Sequence, residues 1–167
     1  TEAPLRSYLT ALRLRPNDLN YRCQLGFLLI QQGYLPKAEH CFRLVLRQEP
    51  YNVDAIAGLA TVLAKMGDPE GAIALAEPMI QTGVDHPDLA HIYATICRKL
   101  GKSNDAIPVL QRLLSRSRPL QTRAQLQHAL GELYESVGDH AAAFAAHETA
   151  NTARSVDFAP VAFEHHV

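Results

Sequence analysis

The sequence predicts an all-α protein, a right-handed α-α solenoid of antiparallel helix pairs. Three observations predict it. Gly33, Gly67 and Gly101 recur at a spacing of 34 residues, and Gly138 follows 37 further on. Five residues beyond these glycines stand Ala38, Ala72, Ala106 and Ala143, and seven before them stand Gly26, Ala60, Ala94 and Gly131. Apolar residues flank the second column at helical steps: Leu25, Leu59, Tyr93 and Leu130 just ahead, with Leu29, Leu63, Cys97 and Tyr134 three beyond. A period of about 20 to 50 residues marks stacked repeats, whose units bury their apolar faces only against neighbours.

Taken in order, residues 1–16 read as the second helix of a truncated preceding repeat. A lone helix of that length is marginal in water, and its apolar face (Leu5, Leu9 and Leu12) needs partners. It therefore points to a piece of a longer protein, or to self-association through unmatched terminal helices. Residues 17–52 form the first full unit. Its first helix must reverse direction, and Gly33 sits just past that helix's end, where a left-handed backbone strains any Cβ. The second helix opens with Pro36, tolerated in a first turn because its missing N–H would have no partner. Pro50 closes the unit.

The second unit, 53–86, opens its second helix with Asp68-Pro69 and lacks the closing proline. Units three (87–120) and four (121–154) offer Ser103 and Asp139 as helix caps. In every unit the paired small residues let two antiparallel helices approach closely. Residues 155–167, "SVDFAPVAFEHHV", carry no long periodic stretch and read as an exit tail or linker.

This register resembles the tetratricopeptide repeat (TPR), which has a small residue at its eighth position, glycine near the fifteenth, alanine at the twentieth and proline near the thirty-second. Gly26, Gly33, Ala38, Phe42 and Pro50 fit in the first copy; Leu59, Ala60, Gly67 and Ala72 in the second; Ala94, Gly101 and Ala106 in the third; Leu130, Gly131, Tyr134, Gly138 and Ala143 in the fourth. Departures are Arg22 and Ile56 at the aromatic fourth position, and His147 where a large apolar residue is usual. The last copy and tail also resemble the repeats that precede a sulfotransferase domain in bacterial proteins, through Ala143-Phe144, Asn151, Arg154 and Asp157. That resemblance implies a catalytic neighbour; these residues themselves hold no phosphosulfate-binding loop.

Composition narrows the function classes. A net charge of −1 argues against nucleic acid as partner, since phosphate neutralisation needs a basic surface. No window of about 20 apolar residues exists to span a membrane, and "TEAPLRSYLT" lacks a signal-peptide pattern. Cys23, Cys41 and Cys97 show no metal-type pairing, and their odd number argues against a disulfide framework, so a cytoplasmic location is expected.

The first helix of each pair lines the inner, concave face of such a stack, and its outward positions form a candidate partner-binding groove for a peptide or protein. By register these are Asn20, Gln24, Phe27 and Gln31; Asp54, Thr61 and Lys65; Asp88, His91, Thr95 and Arg98; and Gln125, His128, Glu132 and Glu135. Phe27 is the apolar anchor of a polar set. The resemblance also allows one specific exclusion. The carboxylate clamp of chaperone-tail receptors takes Lys, Asn, Asn, Lys and Arg from three copies. Here those places hold Cys23, Phe27, Gly58, Asp88 and Ile92, or, one copy later, Ala57, Thr61, Ile92, Gln125 and Ala129. Neither register fits.

No catalytic residue, cofactor or metal is expected. His91, His128 and Glu132 share an inner face but match no metal spacing, and zinc takes three or four converging ligands. "HETAN" at 147 lacks the second histidine of a helical zinc-protease motif. Arg112, Arg116, Arg118 and Arg123 surround a three-residue insertion near Pro119, read as a solvated connection with an anionic partner as the alternative. The sequence thus predicts an interaction scaffold, with two alternatives: the positioning domain of a larger enzyme, or a self-association module.

Overall fold

The glycine column is where the chain reverses. The computed structural model describes residue 10, residues 18–117 and residues 120–156. Eight helices run through the two longer stretches: α1 (Leu19–Gln31), α2 (Leu35–Gln48), α3 (Val53–Met66), α4 (Pro69–Gln81), α5 (Pro87–Lys99), α6 (Ser103–Arg116), α7 (Leu120–Ser136) and α8 (His140–Val156). Among the described residues there is no strand. Gly33, Gly67, Gly101 and Gly138 follow α1, α3, α5 and α7 with φ of 80, 91, 68 and 81°, and no described non-glycine residue has positive φ. A side chain at any of the four would be strained by about 1 kcal/mol or more.

Local chemistry sets most helix starts. The carboxylate of Asp18 accepts from the N–H groups of Asn20 and Tyr21, Asn52 from Ala55, Asp68 from Gly71 and Asp139 from Ala142. Each satisfies an orphan donor of a first turn. Ser103 does not cap. It lies inside α6, which begins after Lys102 with no side-chain cap, and its buried hydroxyl pairs with that of Ser136 on α7 at 2.7 Å. A hydroxyl that finds a partner on a neighbouring helix is no longer available to its own backbone. The missing proline of the second copy also has an explanation: α4 ends on Gly83, a fifth left-handed glycine (φ 85°). Pro78 and Pro108 lie within α4 and α6, so proline does not end every helix it enters.

Packing follows the hairpin pattern. Consecutive helices pack against each other throughout, and the alternate helices α1, α3, α5 and α7 also touch in sequence. Ala38, Ala72, Ala106 and Ala143 are all buried. Two clusters make the core. One surrounds Phe42 with Leu25, Leu29, Val45, Ala55, Leu59 and Val62; the other runs from Ile56 through Ala72, Ile80, Tyr93, Ile96 and Leu110 to Leu133 and Ala146.

Phe42, with no exposed surface, lies between α1 and α3 because both present glycine to it. A Cβ on Gly26 would stand 2.6 Å from the ring, and one on Gly58 would overlap it. The helix α8 runs through Val156, two residues past the expected end of the fourth unit, an ordinary latitude for a helix end. Of the expected segments 1–16 and 155–167, all but Thr10, Ser155 and Val156 lie outside the described residues.

Candidate partner-binding groove

The helices α1, α3 and α5 stand side by side, and equivalent positions along them form rows. Asn20, Asp54 and Asp88 occupy one end of each helix, Phe27, Thr61 and Thr95 the middle, and Gln31, Lys65 and Lys99 the other end. Between the helices lies a cleft of about 570 Å³. It takes in nine of the expected residues: Gln24, Phe27 and Gln31, Asp54, Thr61 and Lys65, and Asp88, His91 and Thr95. Ala64, Ile92 and Lys99 also line it. Lys99 was legible in the sequence as the residue 34 beyond Lys65.

The floor is partly apolar. Phe27 is half-buried and packs edge-on against Phe42, with ring centroids 5.2 Å apart and planes at 66°. It serves the core as well as the cleft. The Thr61 hydroxyl donates to the Ala57 carbonyl (2.8 Å) and the Thr95 hydroxyl to that of His91 (3.0 Å). At one edge Asp54 meets Nε2 of His86 at 3.0 Å. At the other, Lys99 Nζ approaches the Ala64 carbonyl at 3.5 Å.

The remaining expected residues lie elsewhere. Asn20 is exposed in the first turn of α1 and does not line the cleft. Arg98, His128, Glu132 and Glu135 are engaged with one another and with His147. Arg98 Nη1 stands 3.5 Å from one oxygen of Glu132, His128 Nε2 3.5 Å from the other, and His147 Nε2 3.3 Å from Glu135. The two imidazoles meet through their Nδ1 atoms at 3.2 Å. Gln125, also on α7, keeps a buried Oε1 without a hydrogen-bond partner. His91 sits in the cleft, apart from this group, so the grouping of His91 with His128 and Glu132 does not form. Among the described residues no three His, Cys, Asp or Glu side chains are placed to hold a metal ion.

Arg123 has a structural task. Its guanidinium donates to the carbonyls of Leu114 and Ser117, both at 3.1 Å, closing the end of α6. The three thiols are free and buried. Burial first, then the nearby carboxylates of Asp54 and Glu49, pushes Cys23 up to about 12. Burial likewise raises Cys41 and pushes Cys97 up to about 11. Nucleophilic cysteine chemistry needs the thiolate, and these groups stay protonated at neutral pH. No described helix is long and apolar enough to cross a membrane.

Comparison with known proteins supports the architecture. Residues 31–113 match the family described as "Anaphase-promoting complex, cyclosome, subunit 3". Among solved structures, TTC0263, a thermophilic TPR protein in Thermus thermophilus, is 19% identical and superposes with a TM-score of 0.79 over 94% of this chain and 84% of its own. The crystal structure of MamA is 17% identical, with a TM-score of 0.65 over 92% of this chain and 88% of that one. MamA AMB-1 is 19% identical at 0.63, over 92% and 94%. At such identities the likeness is one of fold. No curated protein matches the sequence.

Proposed function

We propose that the chain, which folds as a stack of tetratricopeptide repeats, divides into repeats at 17–52, 53–86, 87–120 and 121–154 and is a non-catalytic scaffold that binds a peptide or partner protein in the cleft between α1, α3 and α5. One observation carries this reading. Three successive first helices send exposed polar side chains, with Phe27 and Ile92 beneath them, into one open cleft. A rigid cleft with an apolar floor and a few placed polar groups is what a binding site needs.

Filling the cleft tests the reading. A partner captured by the wild-type chain should be lost when Thr61→Arg and Thr95→Arg are combined, with helicity unchanged by circular dichroism. Undiminished capture by that variant would remove the cleft from the function. The buried thiols fit a reducing, cytoplasmic setting.

A second reading draws on Ala143, Phe144 and Asn151, which lie on α8 and carry the resemblance to sulfotransferase-linked repeats. Under it the stack positions a downstream catalytic domain or recruits its substrate, and Phe144, 70% exposed, is the contact. Reading the coding sequence beyond Val167 tests it: no sulfotransferase domain there, no such role. Self-association through the ends is the third use, and light scattering that shows a monomer at high concentration would eliminate it.

A further inference from the structure

The two middle helices carry the same triplet. Asp54, Thr61 and Lys65 of α3 recur 34 residues later as Asp88, Thr95 and Lys99 of α5, and all six side chains line the cleft. Aspartate and lysine are separated by 11 residues on one helix, about 16 Å of rise. At that separation opposite charges cannot neutralise one another directly. The cleft therefore has an acidic edge and a basic edge, with a hydroxyl-bearing floor between them.

Helix dipoles alone favour aspartate near an N-terminus and lysine near a C-terminus. They do not explain the distribution. The equivalent places hold Asn20 and Gln31 on α1, and Gln125 and Ser136 on α7. At these two places along the first helices, only α3 and α5 carry charge.

We propose that the occupant of the cleft is an extended peptide of alternating charge, its acidic side chains turned to Lys65 and Lys99 and its basic side chains to Asp54 and Asp88. This rests on the reading of the cleft as the binding site. An extended chain sends successive side chains to opposite sides, with alternate ones about 7 Å apart along it. Neighbouring helices lie about 8–10 Å apart, a difference that flexible lysine and glutamate stems absorb. A peptide crossing α3 and α5 along the threonine row thus offers one sign to each edge. Both threonine hydroxyls already donate within their own helices, so they face the peptide as acceptors for its backbone N–H groups. Asp54 keeps His86 as a neighbour at 3.0 Å and offers its remaining lone pairs. A peptide of a single sign would bring like charges to one edge whichever way it lay.

The probes are two synthetic nine-residue peptides of equal composition, each with a central leucine. One alternates lysine and glutamate; the other places them in two blocks. Titration by fluorescence anisotropy at low salt should show the alternating peptide bound at least tenfold more tightly, and weakening as salt is raised. Lys65→Glu with Lys99→Glu, which makes both edges acidic, should cost at least tenfold. Adding Asp54→Lys and Asp88→Lys to that variant restores opposite edges, and binding should return, because the peptide can shift by one residue. Equal binding of the two peptides, binding of neither, or indifference to Lys65→Glu with Lys99→Glu overturns the proposal. The cleft-filling variant separates the two ideas. If both peptides bind equally and Thr61→Arg with Thr95→Arg abolishes both, the cleft remains the site and only the charge pattern is wrong. If the filled cleft changes nothing, the binding site is wrong as well.

Discussion

Phe42 in the first hairpin and His147 in the last hold the same place in the repeat, and each lays a ring against a glycine of the partner helix, Gly26 or Gly131. A Cβ on either glycine would collide with the ring. Yet the two sockets differ in every other respect. Phe42 is wholly enclosed within an apolar cluster. His147 keeps a quarter of its side chain in solvent, and bonds to Glu135 and His128. In the repeats between them the same two places hold Ala60 with Ala76, and Ala94 with Leu110. Glycine stands opposite a ring and alanine opposite an aliphatic side chain or another alanine. In both end sockets glycine makes room for a ring, and the polarity of that ring follows from its enclosure.

If enclosure is what matters, deleting the two plugs must have unequal costs. Phe42→Ala removes a fully buried ring between three helices and should destabilise by about 3–5 kcal/mol. His147→Ala should cost about 1 kcal/mol or less, since its bonds are solvent-exposed and contribute little. Urea denaturation of both variants measures the pair. Equal costs would break the comparison.

The glycines sharpen it. Gly26→Ala gains about 1 kcal/mol of helix propensity but drives a methyl group into a ring that cannot leave, so a net cost of about 1–3 kcal/mol is expected. At Gly131 the same substitution meets an imidazole with an exposed edge that can swing outward, and the propensity gain should cancel the loss. Matching thermal melts of the two variants would show that both sockets yield alike.

Much of this was legible in the chain itself. The glycine and alanine columns located the turns and the helix contacts because a left-handed turn and a close approach each admit few residues. Asp139 read correctly as a cap, whereas Ser103 did not, because a hydroxyl's choice between its own helix and Ser136 of another depends on tertiary placement. For the cleft, nine candidate positions came together, but Arg98, Glu132 and His128 form their own ion-paired group. Periodicity assigns a residue to a face; it does not say which neighbour on that face will claim its charge.

The thiols report on the first socket and are absent from the second. Cys23 and Cys41 lie in the cluster around Phe42. Burial raises Cys23 from 9.0 to about 12, while the unfolded chain titrates near the ordinary value. Between those values the unfolded state has lost a proton that the native state retains, so stability falls as pH rises. It is fully present below about pH 9 and should decline by about 1 kcal/mol for this thiol between about pH 9 and 10. Urea midpoints at the two pH values measure the slope, and Cys23→Ala should make it shallower. An unchanged slope in that variant would mean that water reaches the Phe42 cluster.

The smallest effect expected is also the most telling. His147→Phe places in the last socket the residue that the first socket holds. Gly131 leaves room for the ring, so no overpacking is incurred. The bond to His128 and the contact with Glu135 are lost, each partly in solvent and each contributing less than about 1 kcal/mol. Against this, burying most of a phenyl ring contributes about 1–2 kcal/mol. The melting temperature should therefore rise by a few degrees or stay level. A fall would mean that the imidazole's polar bonds hold the last hairpin closed, and that volume alone does not govern the column. A rise would leave His147 as a polar side chain kept, at the expense of stability, where a phenyl ring packs better.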